Sequence, residues 1–383
     1  LLAALTTLSA FATDAFVPAL GAITTSLAAT PLQTQQVLAA YMLGLAAMAL
    51  WHGAISDAVG RRPVVLVALA VYALMATGCA FAPNVSILIA FRFCQGLAGG
   101  AGMIIARAIV RDRFEGHEAQ RLLSTIMVLF TAAPAIAPII GGWLLAGLGW
   151  RSICWFLAGG GVLLFVWALV ALPETLPRAQ RHSMRPGALA RGYWSVFREP
   201  RFHALTLMTA CAFQVFLQYV GAAYPFVRRE LGLGETQFAY LFLPMVTGFM
   251  LGSMLSGRVA GRWSRERTIR IAFVLIFGSV MWNVLYHAVW PPSLVPSLAP
   301  LMVSALGIAL LSPASQLMVL DLFPDRRGMA TSCQAALQLG IGAVNISLIA
   351  IALSGSAFTL ALGQLGWAAL ALAAWVTYRR IGR

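Results

Sequence analysis

Apolar residues in this chain come in blocks long enough to cross a bilayer, and that spacing limits its fold more than any other feature. At 1.5 Å rise per residue, about 20 apolar residues span the ~30 Å hydrocarbon core. Such blocks run over 1–26, 36–56, 64–82, 85–108, 121–147 and 152–172, then over 203–227, 237–260, 268–289, 295–321, 327–352 and 356–378. All are expected to be helices, because lipid leaves an open strand edge unsatisfied. The fold class is therefore all-α integral membrane, with twelve transmembrane helices in two pseudo-symmetric six-helix bundles. Residues 1–172 make the first bundle and 202–383 the second. The Arg- and Pro-rich stretch 173–201 between them is read as a central cytoplasmic loop. With 60% apolar and 10% charged residues, against about 25% charged in soluble domains, a soluble globule is excluded.

The charge pattern orients the chain. All 26 basic residues are arginine. They cluster in alternate connections: Arg61 and Arg62; Arg111, Arg113 and Arg121; Arg178 to Arg201; Arg258 to Arg270; Arg326 and Arg327; Arg379 to Arg383. The intervening connections hold only Arg151, Arg228 and Arg229. By the positive-inside rule, both termini and the middle loop lie in the cytoplasm. The net charge of +14 is thus a membrane signature. A nucleic-acid surface would interleave basic and aromatic residues on one solvated face, and no such face is found. The chain begins without Met inside an apolar stretch, so a short native N-terminus is expected to precede it.

Catalytic and metal chemistry find no support. Cys79, Cys94, Cys154, Cys211 and Cys333 are odd in number and all fall inside apolar spans. They read as small buried residues without disulfide or CxxC spacing. His52, His117, His182, His203 and His287 show no metal-ligand spacing, and neither a phosphate-binding glycine loop nor a Ser/His/Asp set is present. The reading is a non-enzyme without metal or cofactor, and any transport would run on a gradient.

The halves echo one another. Span two runs into His52-Gly53-Ala54-Ile55-Ser56-Asp57-Ala58-Val59-Gly60-Arg61-Arg62, and span eight into Ser256-Gly257-Arg258-Val259-Ala260-Gly261-Arg262. Internal repetition across a central loop is a transporter signature, with substrate near the midplane between repeats. Spans three, six and twelve are almost wholly apolar and read as lipid-facing. Spans one, four, seven, ten and eleven carry Asp14, Arg92, Gln95, Gln214, Gln218, Ser312, Ser315, Gln316, Gln334 and Gln338. Polar groups are expensive in hydrocarbon, so these are expected to face a cavity or another helix.

Asp14 is the one acid of twelve that lies mid-span, where an ionised carboxylate costs about 2.5–3.5 kcal/mol. It suits a proton carrier or a counter-charge for a cationic solute; the plainer alternative is a packing residue beside a helix break at Pro18. Arg92 could pair with Asp14, bind carbonyls of a neighbouring helix, drive proton release, or snorkel to water. In the turn from Gly53 to Arg62, Gly53 and Gly60 would permit tight approach and a sharp turn. Asp57 could meet a helix N-terminus there, while Arg61 and Arg62 anchor the inner face. Pro134, Pro138, Gly141 and Gly142 in span five suggest a kinked helix or a flexure between the halves.

These motifs resemble those of the major facilitator superfamily, and within it the bicyclomycin-resistance (Bcr/CflA) group of drug:proton antiporters. Gly53-x-x-x-Asp57-x-x-Gly60-Arg61-Arg62 resembles the superfamily's cytoplasmic signature. Arg92-x-x-Gln95-Gly96, continuing to Arg111-Asp112, resembles its fourth-span motif. Ala137-Pro138-x-x-Gly141-Gly142 is similar to the antiporter motif, and Asp14 with Pro18 to the subgroup's first-span acid. The resemblance implies the major facilitator fold and alternating access, with Asp14 binding the proton and Arg92 supporting its exchange. It also implies that Asp57, Arg61 and Asp112 form an inner charge cluster that holds the outward-open state. Two departures stand out. Ala137 replaces the usual glycine, which weakens support for antiport over symport, and the eighth-span copy lacks the acid, so the second cluster is expected to be degenerate.

The resulting expectation is proton-coupled efflux of small amphipathic compounds, with a proton-coupled importer as the alternative. Phe16, Tyr41, Met48, Gln95, Gln214, Gln218, Phe242, Met245, Gln316 and Gln338 are the candidate substrate-cavity residues, each of which could equally be packing. The expected partners are a small-molecule substrate, protons and the lipid bilayer of a bacterial inner membrane, in which the protein would act as a monomer.

Overall fold

The computed structural model describes residues 1–114, 116–181, 186–324 and 326–381. His182 and Arg383 lie outside the described residues, as do the side chains of Arg111, His117 and Thr131. Among the described residues, ten helices are long and apolar enough to cross a membrane, and Pro31–Ala49 with His52–Val59, bent by 48°, makes an eleventh. The twelfth is Gly116–Leu148, whose apolar stretch is Ala132–Leu148.

The spans are numbered in chain order. In the first unit they are α1 (Leu2–Ser26), α2 (Pro31–Ala49 with His52–Val59), α3 (Arg61–Ala80), α4 (Val85–Gly99 continuing as Ala101–Arg113), α5 (Gly116–Leu148) and α6 (Arg151–Ala171). In the second they are α7 (Pro200–Gly221), α8 (Ala239–Val259), α9 (Arg265–Val289), α10 (Leu294–Leu322), α11 (Arg327–Ala352) and α12 (Ala357–Ile381). The chain divides into two compact units, Leu1–Ala190 and Arg191–Arg383, each holding six spans. The stretch between α6 and α7 is not loop throughout: it contains a 3-10 turn, Arg178–Gln180, and a helix, Pro186–Phe197.

Local chemistry sets the helix ends. Thr30 and Gln33 form a capping box ahead of α2, with Pro31 at the first helical position. Asn84 caps α4 and Ser264 caps α9 by accepting backbone N–H groups of Ile87 and Arg267. In α1 the α-helical stretch ends at Asp14, and the chain passes through a 3-10 turn at Val17–Ala19 before resuming at Leu20. Pro18 lacks the N–H that would continue the ladder.

Helices cross where one backbone has no side chain to hold the other away. A Cβ on Gly96 of α4 would lie 2.1 Å from the Tyr41 carbonyl oxygen of α2, and one on Gly44 of α2 would lie 2.3 Å from that of Phe93. The second unit repeats the device. Cβ atoms on Gly248 and Gly252 of α8 would lie 2.0 Å and 2.3 Å from the Met302 and Leu306 carbonyls of α10. Small residues at such crossings supply van der Waals contact, the attraction left to helices when lipid is as apolar as they are. The outer faces fit that solvent: Val67 and Leu74 of α3, and Leu163 and Val170 of α6, stand exposed seven residues apart, Val170 at 83%.

Gly53 does not share this role. A Cβ there would meet nothing within 4 Å, so tight approach is not its function, contrary to the expectation from the turn motif. The two glycines should therefore respond oppositely to alanine. Gly53→Ala should raise Tm slightly, since alanine favours a helix by about 1 kcal/mol. Gly96→Ala should lower stability by about 1–3 kcal/mol through overpacking. Thermal unfolding of the purified protein in detergent reads both; equal shifts would contradict the crossing geometry.

Candidate functional site

The centre of the first unit is Arg92, whose side chain is fully buried. Its Nη2 donates to the Ala12 carbonyl at 2.8 Å, Nη1 to Gln95 Oε1 at 2.8 Å, and Nε to the Val37 carbonyl at 3.3 Å. The guanidinium lies between two rings, 4.4 Å from the Phe16 centroid and 4.3 Å from that of Tyr41. Ala12 belongs to the last turn of the α-helical part of α1, where carbonyls lack intrahelical partners and carry the negative end of the helix dipole. Burying an ion costs several kcal/mol. Charge-assisted hydrogen bonds return about 1.5–3 kcal/mol each and a desolvated ring face about 2. The arginine is thus satisfied by carbonyls, one amide oxygen and two aromatic faces.

Asp14, on the same turn of α1, is also buried, yet no described residue forms an ion pair or hydrogen bond with its carboxyl. Asp14 and Arg92 both lie within electrostatic reach of Tyr41. Of the roles open to Arg92 in the sequence, carbonyl binding is realised; snorkelling is excluded by its burial, and a salt bridge to Asp14 is absent among the described residues. The span-five motif abuts the same region. A Cβ on Gly141 would lie 2.2 Å from the Ala15 carbonyl, and Ala137, Pro138 and Gly142 are buried while Pro134 is half-buried. The helix α5 runs unbroken through both prolines.

At the arginine-rich end, Arg61 gathers a second cluster. Its Nε donates to Asp112 Oδ2 at 3.0 Å and its Nη1 to Ser56 Oγ at 2.7 Å and to Asp57 Oδ1. Asp57 thus meets Arg61 rather than a helix N-terminus. The Arg61 backbone N–H donates to Glu174 Oε1 at 3.0 Å, as do those of Thr175 and Leu176, and Arg181 Nη2 stands 3.5 Å from Glu174 Oε2. Thr175 Oγ1 donates to Asp112 Oδ2. Burial works against the charged form of Glu174, but the three N–H groups and Arg181 outweigh it and hold the carboxyl below its ordinary range. Gly60 has φ +117°, and a Cβ there would lie 2.3 Å from Glu174 Oε2, so the turn needs glycine on both counts. Arg62 reaches away to the Leu169 carbonyl of α6 at 2.8 Å.

The second unit has an ion pair in the corresponding place. Arg265, at the start of α9, bonds Asp321 near the end of α10, as Arg61 at the start of α3 bonds Asp112 near the end of α4. The second cluster is therefore reduced rather than lost, and its acid comes from the fourth helix of the half, not from the eighth span. Inside this unit the polar core is neutral. Asn345 Nδ2 donates to Gln214 Oε1, Trp367 Nε1 to Gln218 Oε1 and Asn345 Oδ1, Asn283 Nδ2 to Tyr219 Oη and Gln364 Oε1, and Gln364 Nε2 to the Val215 carbonyl. This corrects the reading of α12 as purely lipid-facing.

The expected cavity residues consequently divide. Phe16, Tyr41 and Gln95 form the seat of Arg92; Gln214 and Gln218 belong to the amide network; Phe242 and Met245 are buried packing; Met48 and Gln338 are half-buried and Gln316 is exposed. Sequence reasoning missed Glu174, Ser56, Thr175, Arg181, Asn283, Asn345, Gln364 and Trp367. For Glu174 the available signal was an acid bracketed by Pro173 and Pro177 immediately after a span.

The profile of the family described as Major Facilitator Superfamily matches residues 2–344. The chain is 33% identical over 264 residues to the "Uncharacterized MFS-type transporter YdgK" of Bacillus subtilis (strain 168), a match covering 68% of this chain and 65% of that protein, just under two thirds of its length. It is 27% identical over 353 residues to the "Bicyclomycin resistance protein homolog" of Haemophilus influenzae, covering 90% and 87%. It is 25% identical over 264 residues to the "Multidrug resistance protein MdtL" of Escherichia coli, covering 69% and 66%. Among solved structures, a D-xylose-proton symporter aligns with TM-score 0.74 at 16% identity over 98% of this chain and 96% of that one. A bacterial homolog of the human lysosomal transporter Spinster aligns at 0.71 and 17% identity, over 98% and 94%. At these identities the two structures establish the fold alone.

Glu174 makes the Arg61 cluster sensitive to acid. The unfolded chain protonates this carboxyl at a higher pH than the folded chain does, so its contribution is complete above the ordinary value of 4.5 and is lost as pH falls through the lowered one. Glu174→Gln should remove that part of the acid-induced fall in Tm, measured by thermal unfolding from neutral pH downward. Identical pH profiles for the variant and the parent would refute the linkage.

Proposed function

The chain belongs to the Major Facilitator Superfamily and is a multi-pass membrane transporter, not an enzyme; on that premise we propose that it exports small amphipathic compounds in exchange for protons. The observation that carries this reading is Asp14. It is buried two residues from the carbonyl that Arg92 holds, and no described residue pairs with its carboxyl, which is left to take up and release a proton as the site opens to one side or the other. The names of two relatives, a bicyclomycin resistance homolog and a multidrug resistance protein, support export of antibiotics or similar compounds.

In this reading Arg92 holds α1 to α4 and sets the electrostatic field in which Asp14 exchanges its proton. The cluster of Gly60, Arg61, Asp57 and Asp112 locks one end of the first unit in one state of the alternating-access cycle, with Arg62 anchored to α6. Pro134, Pro138, Gly141 and Gly142 let α5 bend against α1. The transmembrane proton gradient supplies the energy. Met48, Gln316 and Gln338 remain candidates for contact with substrate. The protein would act as a monomer in a bacterial inner membrane, with its arginine-rich ends and both termini cytoplasmic.

An importer on the same scaffold has one observation in its favour: Ala137 stands where the antiporter motif carries glycine. Direction decides between them. Asp14→Asn in proteoliposomes should reduce drug-driven proton flux to the protein-free background while Tm stays within about 3 °C of the parent. Undiminished flux would sink the assignment of Asp14. In an efflux-deficient host, the parent protein should protect against at least one amphipathic antibiotic and Asp14→Asn should not. Gradient-driven accumulation of a nutrient with no protection would favour the importer.

A further inference from the structure

Inside the first unit, three buried polar groups have no partner among the described residues. The hydroxyls of Tyr41 and Tyr72 and the Nε2 of Gln95 are fully enclosed and bonded to nothing among the described residues. Gln95 gives its oxygen to Arg92, so its amino group faces the other way. Tyr41 lays its ring on the guanidinium and extends its hydroxyl along α4 until it would stand 2.4 Å from a Cβ on Gly99, one turn past Gln95. Gly99 and Tyr72 both line a small cavity together with Leu5, Leu8, Val65, Ala68, Leu69, Ala98 and Gly102, with room for about one water molecule. The two tyrosines and Arg92 are within electrostatic reach of one another. Every other wall of the cavity is hydrocarbon.

Buried donors of this kind are nearly always paired, and the usual partner where protein offers none is an ordered water with two to four polar contacts. We propose that Tyr41 and Tyr72 form an internal water site at Gly99. A water there exchanges hydrogen bonds with the two phenols. It thereby ties α3 to the α2–α4 crossing. Glycine at position 99 keeps the space open, since any side chain would enter it. The proposal concerns structure alone and stands whether the protein proves to be an exporter or an importer.

The sign of one substitution tests it. If Tyr72 Oη were a dry, unpaired hydroxyl, Tyr72→Phe would remove a destabilising group and raise Tm. If the hydroxyl holds a water, the same change strands that water and its remaining partners, and Tm falls. A fall is expected; a rise or no change overturns the proposal. Tyr41→Phe combined with Tyr72→Phe should lose less than the sum of the two single changes, because both act on one water; strict additivity overturns the shared site. Should either variant fail to fold, density in a high-resolution structure of the parent protein decides. A peak within hydrogen-bond distance of both hydroxyls upholds the site, and none removes it.

Discussion

Hydrocarbon offers a polar group no partner, and the whole structure follows from that. Backbone N–H and C=O groups must bond within their own segment, which leaves helices as the element. Helices then approach on glycine, because dispersion between close backbones replaces the absent hydrophobic drive. Gly44 with Gly96, and Gly248 with Gly252, bring α2 to α4 and α8 to α10 in this way. The same scarcity governs Arg92. A charge with no water must be satisfied from within, and it draws one helix end, one neighbouring backbone, one amide and two rings around itself.

The end of the α-helical stretch of α1 makes that satisfaction possible. An unbroken helix would keep the Ala12 carbonyl for its own ladder; ending the α-helical stretch at Asp14 leaves it for Nη2 of Arg92. The proline, the acid and the arginine are thus one arrangement. The α-helical stretch ends ahead of Pro18, Arg92 takes the Ala12 carbonyl of its last turn, and Asp14 is carried to the same turn while staying outside the arginine's bonding. On the proposed reading, a helix end, a cation and a free carboxyl at one level would exchange contacts during the transport cycle.

The number of spans, their helical nature and the division into halves were legible because a hydropathic block is a local property, complete within about twenty residues. Asp57, Arg61 and Asp112 were legible for another reason: charge is conspicuous in a chain with so little of it. What the sequence could not display is pairing at a distance. Gln364 and Trp367 sit in an apolar block that looks lipid-facing, and their partners Val215 and Gln218 stand 149 residues away. Arg265 and Asp321 were hidden because the repeat was sought in the eighth span, whereas the acid lies at the end of α10. Phe16, Tyr41 and Gln95 were placed on the correct helices, but their contact with Arg92 was not legible, since an aromatic that faces a ligand and one that stacks on a guanidinium have the same pattern in one dimension.

The two units share a scaffold and differ in what they bury. Around Arg92 the first holds charge and a titratable acid; around Asn345 the second holds amides, an indole and a phenol. Amides exchange hydrogen-bond partners without moving charge, so the network joining α7, α9, α11 and α12 can rearrange but cannot by itself couple to a proton gradient. Asn345 also begins a π-helical turn, Asn345–Ile349, within α11, a rare kind of turn that is frequent at functional sites. Its amide reaches Gln214 of α7 and its oxygen accepts from Trp367 of α12, so movement at that turn is felt by both neighbours. On the proposed reading, the division of labour is physical: the first unit stores the proton because, among the described residues, it alone buries an unpaired acid. The second can follow without storing charge, because its interior links are strong enough to hold helices together and neutral enough to be exchanged.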